Sequence, residues 1–275
     1  MNNMQGKTIF ITGGSRGIGR AIALKAAQAG ANVVIAAKTE VETAKLTGTI
    51  YSVAEEIEAA GGQALPLLLD VRDEQQIYTA MQQAAKNFGG IDILINNAGA
   101  IALTGVEATS LKQYDLIQTI NHRATFICAQ AALPFLKQAP HPHILSLSPH
   151  VNMSPKCLGM LSPYALSKYG MTILTLGMAE EFRHYGISCN TLWPETYIAT
   201  AAVSKNLGEE NTRQLSRKPE IMADAAFAIY TTQKGELTGQ SLTDEQALAR
   251  IGMTDFTQYA CVSGNTQLQK DFFLD

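Results

Sequence analysis

The 275 residues hold no clustered cysteines, no long apolar run and no excess of either charge, and each absence removes a class of function. Cys128, Cys157, Cys189 and Cys261 are scattered, with no C-x-x-C pair and no cysteine–histidine cluster. A reduced interior without a structural metal is the expectation. No stretch of about 18 apolar residues escapes a polar break, so no membrane-spanning helix is expected. Lys and Arg total 21 against 24 Asp and Glu, a net charge of −3, which gives no electrostatic case for nucleic acid or an anionic membrane. The opening run MNNMQGKTIFITGG enters a strand-like segment directly, without a cleavable signal. The closing DFFLD is not a peroxisomal address. A soluble, cytoplasmic protein is expected.

What is present is ordinary globular composition, 46% hydrophobic and 16% charged, enough for one large core. Short apolar runs alternate with amphipathic stretches. Strands are expected at 7–12, 32–37, 64–69, 92–96, 143–148, 187–193 and 240–243. Helices are expected at 17–29, 51–60, 73–88, 110–138, 163–184 and 219–232. Strands that are apolar throughout point to a parallel sheet covered on both faces. Right-handed crossovers make it doubly wound, with a ligand crevice at the strand carboxyl ends. One α/β domain of about seven strands, spanning 1–275, is the prediction. The polar stretch from 204 to 220 reads as loop or short helix, and 39–51 as a lengthened surface connection.

The run ITGGSRGIGRAIA (11–23) links the first strand to the first helix. Glycines at that junction let the backbone turn tightly against a pyrophosphate, which then rests on the helix amino terminus. Gly13, Gly14, Ser15, Arg16, Gly17, Ile18 and Gly19 are the candidate cradle for a dinucleotide. The second strand ends IAAKTE, with Ala37 where an acid would hold a ribose hydroxyl and Lys38 next. Lys38 and Arg16 favour a 2′-phosphate, hence NADP(H) over NAD(H), although Glu40 lies nearby. In SPYALSK (162–168), Tyr164 and Lys168 are one helical turn apart on one face. A lysine ammonium beside a phenol lowers its pKa and makes it a usable proton donor and acceptor.

Together the glycine loop, Asp70–Val71, NNAG at 96–99, Asn121 and the Tyr164/Lys168 pair resemble the short-chain dehydrogenase/reductase family over about the first 200 residues. The resemblance implies a Rossmann-type oxidoreductase acting on a small carbonyl or alcohol. Tyr164 would be its proton donor, and Lys168 would bind the nicotinamide ribose. Asn121 would anchor a water that relays protons. Asp70 and Val71 would bind the adenine, with Asn96, Asn97, Ala98 and Gly99 flanking the adenosine half. Pro194 and Thr196 would border the nicotinamide, although Glu195 replaces the usual glycine and Thr200 is shifted by one residue. A homodimer or homotetramer is implied, formed through the long helices.

One family feature is displaced. The serine expected thirteen residues before the tyrosine falls at Val151, and alignment along the strand ILSLSPH puts Pro149 there instead. Ser148 is one residue early, and on a strand that turns a side chain to the other face. Ser148 is one candidate donor to the substrate oxygen, with His150, Asn152 and Ser162 as others. A site without a serine donor, or a cofactor-binding sensor or scaffold with little catalysis, are the alternatives.

Overall fold

Seven short strands lie side by side, all parallel, in the computed structural model, which describes residues 4–43 and 47–274. They are β1 (Thr8–Thr12), β2 (Asn32–Ala37), β3 (Gln63–Leu68), β4 (Ile93–Asn96), β5 (His143–Leu147), β6 (Ser188–Trp193) and β7 (Ser241–Thr243), in the order β3-β2-β1-β4-β5-β6-β7. The chain builds outward from β1 to β3, then returns to lay β4 on the other side of β1. That reversal opens a crevice at the carboxyl ends of β1 and β4.

The two-residue period of a strand explains how one sheet serves two cores. Ile9, Ile11, Val33 and Ile35 face a cluster containing Ile22, Ile57 and Ile229. Phe10, Val34 and Leu94 face the opposite cluster with Ile77, Met81 and Ile127. The helices that supply these layers are α1 (Gly17–Gln28), α2 (Ile50–Ala59), α3 (Glu74–Phe88), α4 (Leu111–Gln118), α5 (Ala124–Leu136) and α6 (Pro155–Glu181). Beyond them come α7 (Ala201–Leu207), α8 (Glu209–Leu215), α9 (Glu220–Tyr230) and α10 (Asp244–Ala249).

Two departures from the sequence reading bear on the site. The helix expected at 110–138 is interrupted by a π turn, Thr119–Arg123, which carries Asn121. The helix expected from 163 begins at 155 but breaks at Leu161 (φ −152°, ψ 31°). Pro163 has no N–H to donate and crowds the preceding turn, so a new helical segment starts there and carries Tyr164 and Lys168. The polar 204–220 stretch folds into α7 and α8. Of the connection at 39–51, residues 44–46 lie outside the described residues. Its far end leans on the glycine loop, where a Cβ on Gly48 would come within 2.5 Å of the Ser15 carbonyl.

The glycine loop is stapled to β4 from inside. Asn97 Nδ2 donates to the carbonyls of Thr12 (2.9 Å) and Gly13 (3.0 Å), and the Thr12 hydroxyl accepts from the amides of Asn97 and Ala98. A Cβ on Gly19 would sit 2.5 Å from both Asn97 Nδ2 and the Gly13 oxygen, so the staple itself requires glycine there. Gly19→Ala is expected to cost about 1–3 kcal/mol, the range for overpacking a tight site, read as a lower denaturant midpoint. An unchanged midpoint would show that the loop yields freely.

Candidate active site

Tyr164 and Lys168 project from the segment of α6 that follows the break, toward the carboxyl end of β5. Both are buried, at 2% and 5% exposure. Lys168 Nζ donates to the Leu147 carbonyl at the end of β5 (2.8 Å) and lies 5.1 Å from the centre of the Trp193 ring. Gly99 closes the group: a Cβ there would be 3.5 Å from both Lys168 Nζ and Asn121 Oδ1. Asn121 Nδ2 donates to the Ala100 carbonyl (3.1 Å) and to Ser167 Oγ (2.8 Å), while Oδ1 accepts from the Ala100 amide (2.9 Å). Ser167 in turn donates to the Tyr164 carbonyl (2.7 Å). Asn121 thus ties the loop after β4 to the turn that carries the tyrosine. Its side-chain amide is engaged on three sides by protein.

The pKa expectation is reversed. Burial, and then the negative charge of Asp271, push the Tyr164 phenol above its ordinary value, rather than Lys168 drawing it down. Burial pushes the Lys168 ammonium down to about 7, with Asp271 opposing. The ammonium is turned to the Leu147 carbonyl, and a carboxylate not considered in the sequence lies near both groups.

Ser148 is also placed differently from a substrate donor. Its side chain is fully buried, with Oγ 3.0 Å from Thr172 Oγ1, which is itself 2.5 Å from the Pro149 carbonyl. The hydroxyl is committed between β5 and α6, as the alternation of strand faces requires. Asn152 donates to the Phe273 carbonyl (3.1 Å), and its own carbonyl accepts from Tyr169 (2.8 Å). His150 is exposed.

The carboxyl-terminal segment is the part of the site that the sequence reading missed. Phe273 is 0% exposed, with its ring centre 5.8 Å from Tyr164, 5.4 Å from Tyr169 and 5.7 Å from Trp193. Phe272 lies 6.3 Å from Tyr164. Asp271, 6% exposed, accepts at Oδ1 from Trp193 Nε1 (2.9 Å) and the Phe273 amide (3.0 Å). The only available signal was a pair of phenylalanines in an otherwise polar end.

At the other end of the crevice, α1 starts at Gly17 with no side-chain cap and no acid in its first turn. Its free amides, with Gly17 at φ +55°, suit an anion. Thr200 faces this turn, its methyl 3.3 Å from where a Gly17 Cβ would be. Arg16 donates to the carbonyls of Gly48 (2.8 Å) and Thr47 (3.2 Å), so it pins the neighbouring loop. Lys38 is exposed and makes no ion pair among the described residues. Asp70 is paired with Arg72 and held below its ordinary pKa chiefly by that hydrogen bond, and Val71 is buried.

A sequence profile described as short chain dehydrogenase matches residues 7–211. The chain belongs to that family. It is 54% identical over 272 residues to hydroxysteroid dehydrogenase-like protein 2 of Danio rerio and 50% identical to that of Homo sapiens. These alignments cover 99% of this chain and 65% and 64% of the relatives, so the chain spans about two thirds of the length of these relatives. A crystal structure of a putative dehydrogenase from Xanthomonas campestris superposes with a TM-score of 0.95 at 49% identity, covering 99% of both chains. A short chain dehydrogenase from Mycobacterium thermoresistibile gives 0.93 at 47% identity, covering 99% of this chain and 96% of that one.

Short-chain dehydrogenases are oxidoreductases that use a nicotinamide cofactor, and two features here fit one. The first is the uncapped, acid-free start of α1. The second is Thr196 Oγ1, buried without a hydrogen-bond partner beside the buried Pro194. An orphaned hydroxyl in the strand-end crevice is where a carboxamide would find a partner. Among the described residues no His, Cys, Asp and Glu cluster could hold a metal, and no helix is long and apolar enough to cross a membrane.

Proposed function

We propose that the protein is an NADP(H)-dependent reductase or dehydrogenase of a small carbonyl or alcohol, with Tyr164 as the proton-transferring group. The observation that carries this reading is the convergence of Lys168 Nζ and Asn121 Oδ1 on Gly99, one helical turn from Tyr164. The bound nicotinamide supplies or accepts the hydride. Tyr164 gives or takes the proton at the substrate oxygen, with Lys168 one helical turn away to hold the nicotinamide ribose. Asn121 and Ser167 fix the turn, while the closed aromatic surroundings exclude water. Tyr164→Phe should abolish carbonyl reduction followed at the nicotinamide absorbance yet leave cofactor affinity within about twofold, since only the hydroxyl is lost. Substantial turnover in that variant would sink the mechanism.

Preference for the 2′-phosphate is supported by Lys38, exposed beside the adenosine end. The competing acid, Glu40, accepts a hydrogen bond from Tyr51 (2.9 Å). Lys38→Asp should weaken NADPH binding more than about tenfold, the size expected for reversing a charge at a phosphate, with NADH binding equal or better. Calorimetric titration of both cofactors checks it, and equal losses would remove Lys38 from phosphate recognition.

The arrangement of Ser148 supports a site with no serine donor. Ser148→Ala should then cost about 1 kcal/mol of stability for one buried hydrogen bond and leave kcat nearly unchanged. A fall of about 10²-fold, the size of one lost oxyanion donor, would restore Ser148 to the chemistry. The displaced serine also favours a second reading, a cofactor-binding sensor or scaffold with little catalysis. A carbonyl panel that shows no Tyr164-dependent turnover would select it. An oligomer of cytoplasmic subunits completes the reading: Leu116, Phe126, Leu166 and Ile173 on α4, α5 and α6 are exposed and would be covered by a second copy.

A further inference from the structure

We infer that Asp271, in the carboxyl-terminal segment, is a positioning residue of the active site that acts through Trp193 to keep Lys168 charged. The inference rests on the reading of Tyr164 and Lys168 as the proton-transfer pair. Its geometry is a chain of two contacts joining three separate parts of the fold. Lys168 on α6 lies over the face of the Trp193 indole at 5.1 Å. Trp193, the last residue of β6, donates its ring N–H to Asp271 Oδ1 at 2.9 Å. The Phe273 amide fixes the same oxygen, and the Phe273 ring packs edge-on against the indole at 5.7 Å.

An ammonium over an indole face is attracted by the ring quadrupole. An N–H donated to a carboxylate pushes electron density into the ring and strengthens that attraction, while the carboxylate adds its own charge. The segment is held for this task and not merely laid over the site. The Asp271 amide donates to the Glu195 carbonyl (3.0 Å), and the Tyr197 amide donates to that of Gln269 (2.9 Å). Asn152 donates to the Phe273 carbonyl. The chain from Gln269 to Phe273 is thereby stitched to the loop after β6 and to the segment after β5.

Charge accounting around Lys168 points the same way. Burial pulls the ammonium down to about 7, and Asp271 is the charge that opposes it. Burial also raises Asp271 to about 6, against its two hydrogen bonds and Lys168, with Glu195 adding to the rise. The other titratable groups around the pair are Tyr164 and Tyr169 on α6, Cys157 ahead of the break, and Tyr197 after β6. Burial first, with Asp271 adding to it, pushes all three tyrosines upward, so none of them supplies negative charge near neutrality. The two groups shift each other toward their charged forms, and burial shifts both toward neutral.

Trp193 is the only tryptophan in the chain, so its emission reports on the pair directly, without turnover. In the intact protein the emission should change with pH between about 5 and 8 as each neighbour titrates. Asp271→Asn keeps an oxygen for the indole N–H but removes the charge. The Lys168 transition should then move to lower pH by about half a unit or more. Lys168→Met should move the Asp271 transition the opposite way, by an equal amount if the two groups are coupled. In the rate profile, the limb lost as pH rises should shift acidward in Asp271→Asn. A packing role alone would lower rate or intensity at every pH with the midpoints unmoved, and that result would overturn the inference. Emission that is flat from pH 5 to 8 in the unaltered protein would also overturn it. Turnover by Tyr164→Phe with the emission shifts intact would instead discard the proton-transfer reading and leave the Asp271–Trp193–Lys168 coupling standing.

Discussion

Burying the Lys168 ammonium at the carboxyl end of β5 is the constraint around which the rest of the site is arranged. A lysine removed from water loses several kcal/mol of hydration unless partners replace it. Here each partner comes from a different element: the Leu147 carbonyl from β5, the Trp193 face from β6 and the Asp271 charge from the carboxyl-terminal segment. The helix break at Leu161 sets where that lysine emerges, and the π turn at Thr119–Arg123 brings Asn121 against the same turn of α6. Without the sheet reversal between β1 and β4 these elements would not meet beside the glycine loop.

The opposite end of the crevice is organised by hydrogen bonds rather than by charge burial. Asn97 locks the glycine loop to β4, and Arg16 holds the connection that precedes α2. The first keeps the amides at the start of α1 uncapped and facing the crevice. The second ties Arg16 to the Thr47 and Gly48 carbonyls. Arg16 therefore serves as a clamp on the chain, while Lys38 stays exposed.

How much of this could be read from the sequence follows from how local each feature is. The strands were legible because burial on both faces makes runs such as IFIT and VVIAA apolar without alternation. Tyr164 and Lys168 share a helical segment and the glycine loop joins β1 to α1, placements that local spacing alone conveys. The start of a new helical segment near 163 was legible through Pro163. The π turn was not, because TINHRATF has the composition of any helix and the extra residue costs no visible signal. The role of DFFLD was illegible for a different reason. Its contacts reach Asn152, Trp193 and Glu195, between about 75 and 120 residues away along the chain, and no local period encodes them. The Tyr164 shift was illegible for the same cause: the spacing of Tyr164 and Lys168 shows neither the burial that chiefly raises the phenol nor the charge at position 271 that adds to it.

The position of Ser148 and the course of the chain after β5 go together. Where a serine hydroxyl would face the substrate, Pro149 offers only a carbonyl, and that oxygen is taken by Thr172 from behind. The chain then continues to Asn152, which spends its side chain on the Phe273 carbonyl and its main chain on Tyr169. The stretch after β5 has thus become a docking edge for the carboxyl-terminal segment. In return the segment delivers two aromatic rings to the wall around Tyr164 and a carboxylate to the neighbourhood of Lys168. The surroundings of Tyr164 and Lys168 are thereby completed by residues at the far end of the sequence.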